Sequence, residues 1–174
     1  MPDENVYQID QNMKDKKYKT FGKNRSLRLE DFHYRGPSIY FVTSTTQNRT
    51  KVFLDYSFGK AIIQHLREIR LKTDCKIYVY CLMPDHMHLL LSPSENGKDL
   101  SEVVREIKGG STKIFWESGG KGKLWQRGFY DHIVRKQEDL KEIAIYILNN
   151  PVRKGLVDQW GNYPLCGMMD ELPA

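Results

Sequence analysis

Hydrophobic spacing divides the first part of the chain into a strand followed by a helix. After Pro37, the segment SIYFVTSTT is rich in β-branched and aromatic residues, which is typical of a strand. Asp55 is a residue type favoured at helix N-caps. Ile62, Leu66 and Ile69 then recur at helical spacing, so a helix is predicted from just after Asp55.

The middle of the chain predicts a pair of strands and a second helix. CKIYVYCLM alternates as a strand, Pro84 and Asp85 interrupt it, and HMHLLLS continues as another strand. So short an interruption predicts an antiparallel hairpin. Asp99 and Glu102 have the spacing of a capping box, and a helix should therefore begin there and run to about Trp116.

The last third predicts a strand and a third helix. ESGGKGK is a glycine-rich loop, FYDHIVR is typical of a fourth strand, and QEDLKEIAIYILNN is typical of a helix that Pro151 ends. Beyond Gly155 the chain is expected to be largely irregular. One face of the third helix carries an apolar stripe that should pack on the core, formed by Leu140, Ile143, Ala144 and Ile147.

The element order β-α-β-β-α-β-α predicts an α+β fold. A ferredoxin-like, four- to five-stranded, mostly antiparallel sheet accommodates this order. Two helices cannot cover both faces of such a sheet, so the first two helices are expected on one face. The other face is then left for a ligand or for a further helix.

Length and composition indicate one domain with a flexible, basic arm before it. We expect the arm at 1–30, the domain at 31–160 and a C-terminal tail at 161–174 of the 174 residues. No apolar run approaches the roughly 18 residues of a membrane span. The N-terminal segment also lacks the apolar core of a signal peptide. Three cysteines, an odd number, argue against a disulfide framework. The protein is therefore predicted to be cytoplasmic.

The charge balance favours a polyanionic partner. Lysine and arginine number 27 against 22 acidic residues, which gives a net charge of +5 and a pI near 9.0. Neutralising phosphates with such a surplus releases counterions and strengthens binding. Many basic proteins nevertheless bind no nucleic acid, so the charge alone leaves that question open.

Two histidines, His86 and His88, lie one residue apart inside the predicted third strand. Alternate residues of a strand share a face, so the two imidazoles should lie side by side, about 6.6 Å apart along the strand. Met87, Leu89 and Leu91 should face the helix-covered core. Such a pair can share a divalent metal if another element supplies a third ligand. The alternative is two histidines that only make hydrogen bonds at the sheet surface.

The third helix offers both a candidate ligand and a candidate nucleophile. Tyr146 and Asn150 lie four residues apart on one side of the helix, together with Glu142. An asparagine oxygen can bind a hard cation. A tyrosine phenol can attack a phosphodiester. The alternative for Tyr146 is a half-buried aromatic residue at the edge of the helix.

Three segments of the chain resemble the single-tyrosine transposases of the HUH endonuclease superfamily, which is named for a His–hydrophobe–His metal motif. MPDHMHLLL is similar to the metal strand of that family, and LWQRGFYDHIVR is similar to its tryptophan-containing segment. YILNNPVRKGLV is similar to its tyrosine-helix signature. The resemblance covers most of the chain and is greatest for the REP-associated tyrosine transposases.

This resemblance implies a role for each candidate residue. His86, His88 and Asn150 would bind the metal, Mg²⁺ or Mn²⁺, with Glu142 weighed as an additional ligand. Tyr146 would be the nucleophile, which makes the C-terminal helix catalytic and residues 31–160 a single HUH transposase-like catalytic domain. The implied activity is that of a transposase and endonuclease that cleaves and rejoins single-stranded DNA at hairpin-flanked sites through a 5′-phosphotyrosine intermediate.

The resemblance also implies a DNA partner, namely single-stranded DNA with a hairpin from a repeated palindrome. The protein would act as a monomer or a homodimer and away from membranes. Trp125 or Phe129 could stack on an unpaired base. His132 is weighed as a support for the metal site or as a structural residue, whereas His33 and His65 are assigned no role. The basic candidates for DNA contact, each of which could equally be a solvated surface charge, are Arg25, Arg28, Arg49, Lys108, Lys113, Lys121, Lys123, Arg127, Arg135 and Arg153.

Two other functions are compatible with the same residues. One is a non-catalytic nucleic-acid-binding protein that uses the same sheet. The other is a metal hydrolase in which water attacks and the tyrosine is structural. Only the tyrosine transferase would leave the protein covalently attached to DNA.

Overall fold

Five antiparallel strands form the sheet at the centre of the structure, a computed structural model that describes residues 38–134 and 137–173. The predicted arm at 1–30 lies outside these residues, and the domain start at 31 stays a prediction. The spatial order of the strands is β4-β1-β3-β2-β5. Their bounds are β1, Ile39–Thr45; β2, Lys76–Met83; β3, His86–Ser92; β4, Tyr130–Val134; and β5, Cys166–Met168.

Three helices of ordinary length and one short turn connect the strands. Asp55 begins the first helix, because its carboxylate accepts hydrogen bonds from the amides of Ser57 and Phe58. The predicted capping box of Asp99 and Glu102 begins the second helix and is complete. None of the helices in the described residues is long and apolar enough to span a membrane. Their bounds are α1, Tyr56–Thr73; α2, Leu100–Glu117; α3, Gln137–Leu148; and α4, Asn150–Arg153.

The predicted order of strands and helices is confirmed, but two features of the C-terminal region differ. α3 ends at Leu148, and Pro151 lies in the first turn of α4, where a missing amide hydrogen removes no helical hydrogen bond. The segment 161–174, expected to be a tail, contributes β5, in which Cys166 pairs with Cys81 of β2. The sheet therefore extends past residue 160. Three strand residues are too few to show a period of two in the sequence.

α1 and α2 pack against each other on one face of the sheet, as predicted for the first two helices. His65 of α1 reaches α2, with its Nε2 atom 3.2 Å from the carbonyl oxygen of Ile107. Gly110 makes this approach possible, because a Cβ atom at that position would lie 2.1 Å from the imidazole. His65 thus joins two helices, which agrees with its having no role in a site.

α3 covers the opposite face of the sheet. Tyr146 of α3 packs edge-on against Phe41 of β1, with ring centroids 6.0 Å apart. Phe41 and His88 also contact each other, so α3 lies on the face that carries the histidine pair. The further helix allowed for by the sequence is therefore α3. Because helices cover both faces, β3 is buried along almost its whole length.

Asp99→Ala should destabilise the fold by about 1 kcal/mol, because the substitution removes the side-chain oxygen that caps α2. The amide of Glu102 would lose its 2.8 Å hydrogen bond to Asp99. Urea unfolding followed by circular dichroism would measure the loss. Asp158→Ala, at an exposed position, is the matched control and should leave the midpoint unchanged. Equal midpoints for both variants would contradict a stabilising role for the capping box.

Candidate functional site

The two histidines of β3 converge on one point. The Nε2 atoms of His86 and His88 lie 3.1 Å apart, and the ring centroids are separated by 4.6 Å. Both distances are shorter than the spacing of the residues along the strand, because the side chains lean toward each other. The prediction that the two imidazoles lie side by side on one face is confirmed.

Each imidazole is held by a separate partner at its other nitrogen. The Nδ1 atom of His86 lies 2.5 Å from a carboxylate oxygen of Asp85, and the Nδ1 atom of His88 lies 2.8 Å from the hydroxyl oxygen of Thr43. Thr43 is the β1 residue directly opposite His88 in the sheet. When Nδ1 donates its hydrogen to such a partner, the lone pair of a neutral imidazole is on Nε2. The arrangement thus suits two Nε2 atoms that act as ligands together.

The site favours neutral imidazoles. Burial lowers the pKa of His86, although the neighbouring Asp85 carboxylate raises it in part. Burial, together with the nearby His86 and Arg153, holds the pKa of His88 well below its usual range. Burial opposes ionisation of Asp85, but hydrogen bonds from His86 and Arg49 lower the pKa of this carboxyl overall. Histidine binds metals through the neutral imidazole, so these pKa shifts favour the form that can bind a metal.

The pair is less open than the sequence suggests, because α3 covers this face. His88 is only 7% exposed and lies between Phe41 and Tyr146, whose ring centroids are 5.3 Å and 6.4 Å from its own. His86, at the start of the strand, is partly exposed. On the face that was left for a ligand or a further helix, His88 is therefore part of the core, and access to the pair is from the His86 side.

Tyr146 borders the histidine pair from α3. Its side chain is 9% exposed, and its ring lies against both His88 and Phe41. Arg153, on the α4 turn that follows, places its guanidinium carbon 4.6 Å from the centroid of the Tyr146 ring. Such stacking is a cation–π contact. The structure therefore brings Tyr146 and the predicted DNA contact Arg153 together beside the histidines.

The third metal ligand is less well defined than the first two. Among the described residues, no third histidine, cysteine, aspartate or glutamate completes a metal-binding group. Glu142, weighed as an additional ligand, is exposed on α3. Asn150 is buried one turn after Tyr146, and its amide nitrogen donates to the Tyr146 carbonyl oxygen at 3.3 Å. That hydrogen bond leaves the amide oxygen of Asn150 as the group that could bind a cation.

The histidine pair passes a simple test of fit for a divalent metal. Two ligands that lie about 2.1 Å from one octahedral ion, at right angles, are about 3.0 Å apart. The observed separation of the His86 and His88 Nε2 atoms is 3.1 Å. Two nitrogen lone pairs this close repel each other unless a proton or a cation lies between them. The donors are therefore arranged as a metal would require.

The predicted DNA contacts are spread over several surfaces. Arg49 is next to the histidine site, where its guanidinium lies 3.3 Å from Asp85 with 69% of the side chain exposed. Lys113 is exposed and lies near Glu117 on α2. Lys108 is partly buried, and its amine donates to the carbonyl oxygens of Gln126 and Gly128. Three further candidates are exposed in the loop before β4, namely Lys121, Lys123 and Arg127. Three lie outside the described residues, namely Arg25, Arg28 and Arg135.

Trp125 does not have the surface position that base stacking requires. Its side chain is 6% exposed, its indole N–H donates to the hydroxyl of Ser111 at 2.8 Å, and its ring packs against Phe53. Stacking on a base would remove it from the core, so this expectation is wrong. Phe129 is partly exposed and remains a candidate. His132 is exposed on β4, opposite Phe41, and is not part of the histidine pair.

Two supporting residues were not predicted as such. Asp85 was assigned only to the hairpin turn and Thr43 only to β1, yet they hold the two Nδ1 atoms. An aspartate directly before the first histidine is a signal that the sequence does carry. Thr43 gives no such signal, because only the β1–β3 register places it opposite His88.

Comparison with known proteins gives one consistent result. The family described as "Transposase IS200 like" matches residues 38–150. A REP-associated tyrosine transposase of Escherichia coli is 31% identical over 136 residues, and the match covers 76% of this chain and 77% of that protein. A Haemophilus influenzae protein assigned to the same group is 29% identical over 157 residues, and the match covers 78% of this chain and 82% of that protein.

A solved structure shares the fold. The structure of a REP-associated tyrosine transposase bound to a REP hairpin superposes with a TM-score of 0.63 and 25% sequence identity, and it covers 78% of this chain and 79% of that one. The residues that match the family model, 38–150, include both histidines, Tyr146 and Asn150. The chain is therefore similar to these proteins in sequence and in fold over most of its length.

Proposed function

Because this chain belongs to the IS200-like transposase family, we propose that it is a metal-dependent tyrosine transposase that cleaves and rejoins single-stranded DNA beside hairpins. The observation that carries the proposal is the position of Tyr146 against His88, whose Nε2 atom converges with that of His86. The residues proposed as nucleophile and as metal ligands are thus neighbours on the face that α3 covers. The α+β fold alone would not distinguish this activity from others.

His86 and His88, with the amide oxygen of Asn150, are the residues that would hold the metal. A bound Mg²⁺ or Mn²⁺ supplies charge that polarises the scissile phosphodiester and neutralises the developing negative charge. Asp85 and Thr43 fix the orientation of the two imidazoles. Such supporting hydrogen bonds also make the ligands more basic.

Tyr146 would attack the scissile phosphorus through its phenolic oxygen. A new bond forms between that oxygen and phosphorus, and the bond from phosphorus to the 3′ oxygen of the preceding nucleotide breaks. The phenol gives up its proton to solvent, and the leaving 3′ oxygen takes one up. The product is a 5′-phosphotyrosine, and a later 3′-hydroxyl can reverse the step and join a strand.

Two arginines lie next to Tyr146 and the histidine pair, where each would contact the scissile phosphate. Arg153 stacks on Tyr146, and Arg49 lies beside Asp85 on the exposed side of His86. Guanidinium groups present several N–H donors to phosphate oxygens. A covered metal site of this kind requires a strand that is unpaired at the cleaved bond. We therefore propose hairpin DNA with a single-stranded flank as the substrate, and a cytoplasmic monomer or homodimer as the acting form.

The product that tests this proposal is a covalent adduct between DNA and Tyr146 that requires a divalent metal. A protein that only binds nucleic acid forms no adduct. A hydrolase in which water attacks cleaves the strand without becoming attached to it. The adduct therefore separates the proposed function from both alternatives.

Asp85→Asn should weaken divalent metal binding by about tenfold or more, because it removes the carboxylate that orients the His86 ring. The substitution keeps the size of the side chain, so the hairpin turn should be retained. Calorimetric titration with Mn²⁺ would measure the change. Asp158→Asn removes one exposed carboxylate elsewhere and should leave the affinity unchanged. An affinity for Asp85→Asn equal to that of the wild type would show that Asp85 does not support the site.

A further inference from the structure

A groove of about 430 Å³ lies between α2 and the loop before β4, away from the covered histidine face. Its volume lies within the roughly 300–1,000 Å³ typical of ligand sites. Buried apolar side chains line its base, among them Val104 and Leu124. Trp116, which is 56% exposed, and the partly exposed Phe129 supply aromatic surface.

Hydrogen bonds from α2 hold the groove in shape. The Lys108 amine donates to the carbonyl oxygens of Gln126 and Gly128 at 2.8 Å and 2.5 Å. The indole N–H of Trp116 donates to the carbonyl oxygen of Gly122 at 2.8 Å. Two side chains about two turns apart on one helix thus bind both ends of the loop. A groove formed in this way requires no ordering of the loop when a ligand binds.

The groove is connected directly to the strand beside the histidines. The Gln126 amide donates to the carbonyl oxygen of Thr45 at 2.9 Å, and Thr45 is the β1 residue that pairs with His86. Trp125 also forms a β-bridge with Thr46. The backbone of Gln126 therefore lies about 10 Å from β3, which is two strand spacings. A few nucleotides would cover that distance.

The charges that line the groove are of one sign. Arg105, Lys108 and Lys123 line it, and among the described residues that do so none is acidic. Basic side chains around an exposed aromatic ring are the combination that binds single-stranded nucleic acid, since the cations contact phosphates and the ring stacks on a base. An apolar small molecule would not require three cations.

We infer that this groove binds an unpaired base and its phosphates in the single-stranded arm that flanks the DNA hairpin. Trp116 stacks on the base, and Arg105 and Lys123 contact the adjacent phosphates. The arm is thereby held beside Gln126, whose backbone lies about two strand spacings from β3, and the strand continues from there toward the bond to be cleaved. This inference rests on the proposed function, because it names a second contact surface for the same substrate.

The test compares the binding of fluorescently labelled hairpins by anisotropy. One hairpin has blunt ends, and two others carry a four-nucleotide single-stranded arm at the 5′ or the 3′ end. Wild-type protein should bind at least one armed hairpin more tightly than the blunt one. Trp116→Leu should weaken binding of that armed hairpin by about five- to a hundredfold, and binding of the blunt hairpin should be unchanged. Trp116→Phe, which keeps an aromatic ring but loses the hydrogen bond to Gly122, should bind the armed hairpin more tightly than Trp116→Leu does.

Charge is tested separately, and the outcomes distinguish this inference from the proposed function. Arg105→Gln should also weaken binding of the armed hairpin, whereas Lys60→Gln, which removes an exposed charge on α1, should not. If Trp116→Leu binds the armed hairpin like the wild type while the covalent adduct still forms, the groove is not a DNA site and the transposase function stands. If the wild type binds none of the hairpins and forms no adduct, both proposals are overturned.

Discussion

Tyr146→Phe is expected to abolish the covalent protein–DNA adduct completely. Phenylalanine lacks the oxygen that attacks phosphorus, so no phosphotyrosine can form. The ring contacts with Phe41 and His88 do not depend on that oxygen, and folding and hairpin binding should therefore be retained. The measurement is denaturing electrophoresis of labelled hairpin DNA with single-stranded flanks, incubated with protein and Mg²⁺ or Mn²⁺.

Tyr130→Phe is the matched control for this substitution. Tyr130 also packs against Phe41, so it is the tyrosine that could replace Tyr146 if the assignment were wrong. Burial and the adjacent Asp131 raise the pKa of Tyr130, so its phenolate forms less readily. The control should form the adduct at the wild-type level. If the adduct persisted in Tyr146→Phe and disappeared in Tyr130→Phe, Tyr130 and not Tyr146 would be the nucleophile.

Removing either histidine should lower the affinity for divalent metal by at least about a hundredfold, because a direct ligand contributes more than the supporting residues do. His86→Ala and His88→Ala should both lose the covalent adduct as well. Their stabilities should differ. His86 is partly exposed, and its loss leaves the fold intact. His88 is buried against Thr43, so His88→Ala leaves a cavity and an unpaired hydroxyl and should destabilise the protein by about 1–3 kcal/mol.

Calorimetric titration with Mn²⁺ would measure the metal affinity, and urea unfolding would measure the stability. His132→Ala is the control, because it removes an exposed imidazole that is not part of the pair. It should change neither quantity. Unchanged metal affinity in both His86→Ala and His88→Ala would mean that the pair only makes hydrogen bonds at the sheet, and the metal-dependent mechanism would be wrong.

The features that the sequence predicted correctly are those set by local backbone geometry. His86 and His88 share a face because side chains alternate along any strand. The Asp55 cap and the capping box of Asp99 and Glu102 also depend on residues within one turn of each other. The position of Tyr146 beside the pair was predicted from the resemblance to transposases, and it follows from α3 packing on that face of the sheet.

The features that the sequence missed depend on contacts between distant segments. Burial of His88 requires α3 to cover the face, which strand periodicity cannot show. Trp125 was named as a candidate for base stacking, but its bridge to Thr46 places it in the core. Thr43 supports His88 only because β1 and β3 pair in one particular register.

Peptide mapping of the adduct tests the central claim most directly. Wild-type protein is incubated with flanked hairpin DNA and Mn²⁺, the covalent complex is digested with a protease and a nuclease, and the nucleotide-bearing peptide is sequenced by mass spectrometry. We predict a single modified residue, Tyr146, linked to a 5′ phosphate, and no modified peptide when the metal is chelated. A nucleotide on any other residue, or cleaved DNA with no attached peptide, would contradict it.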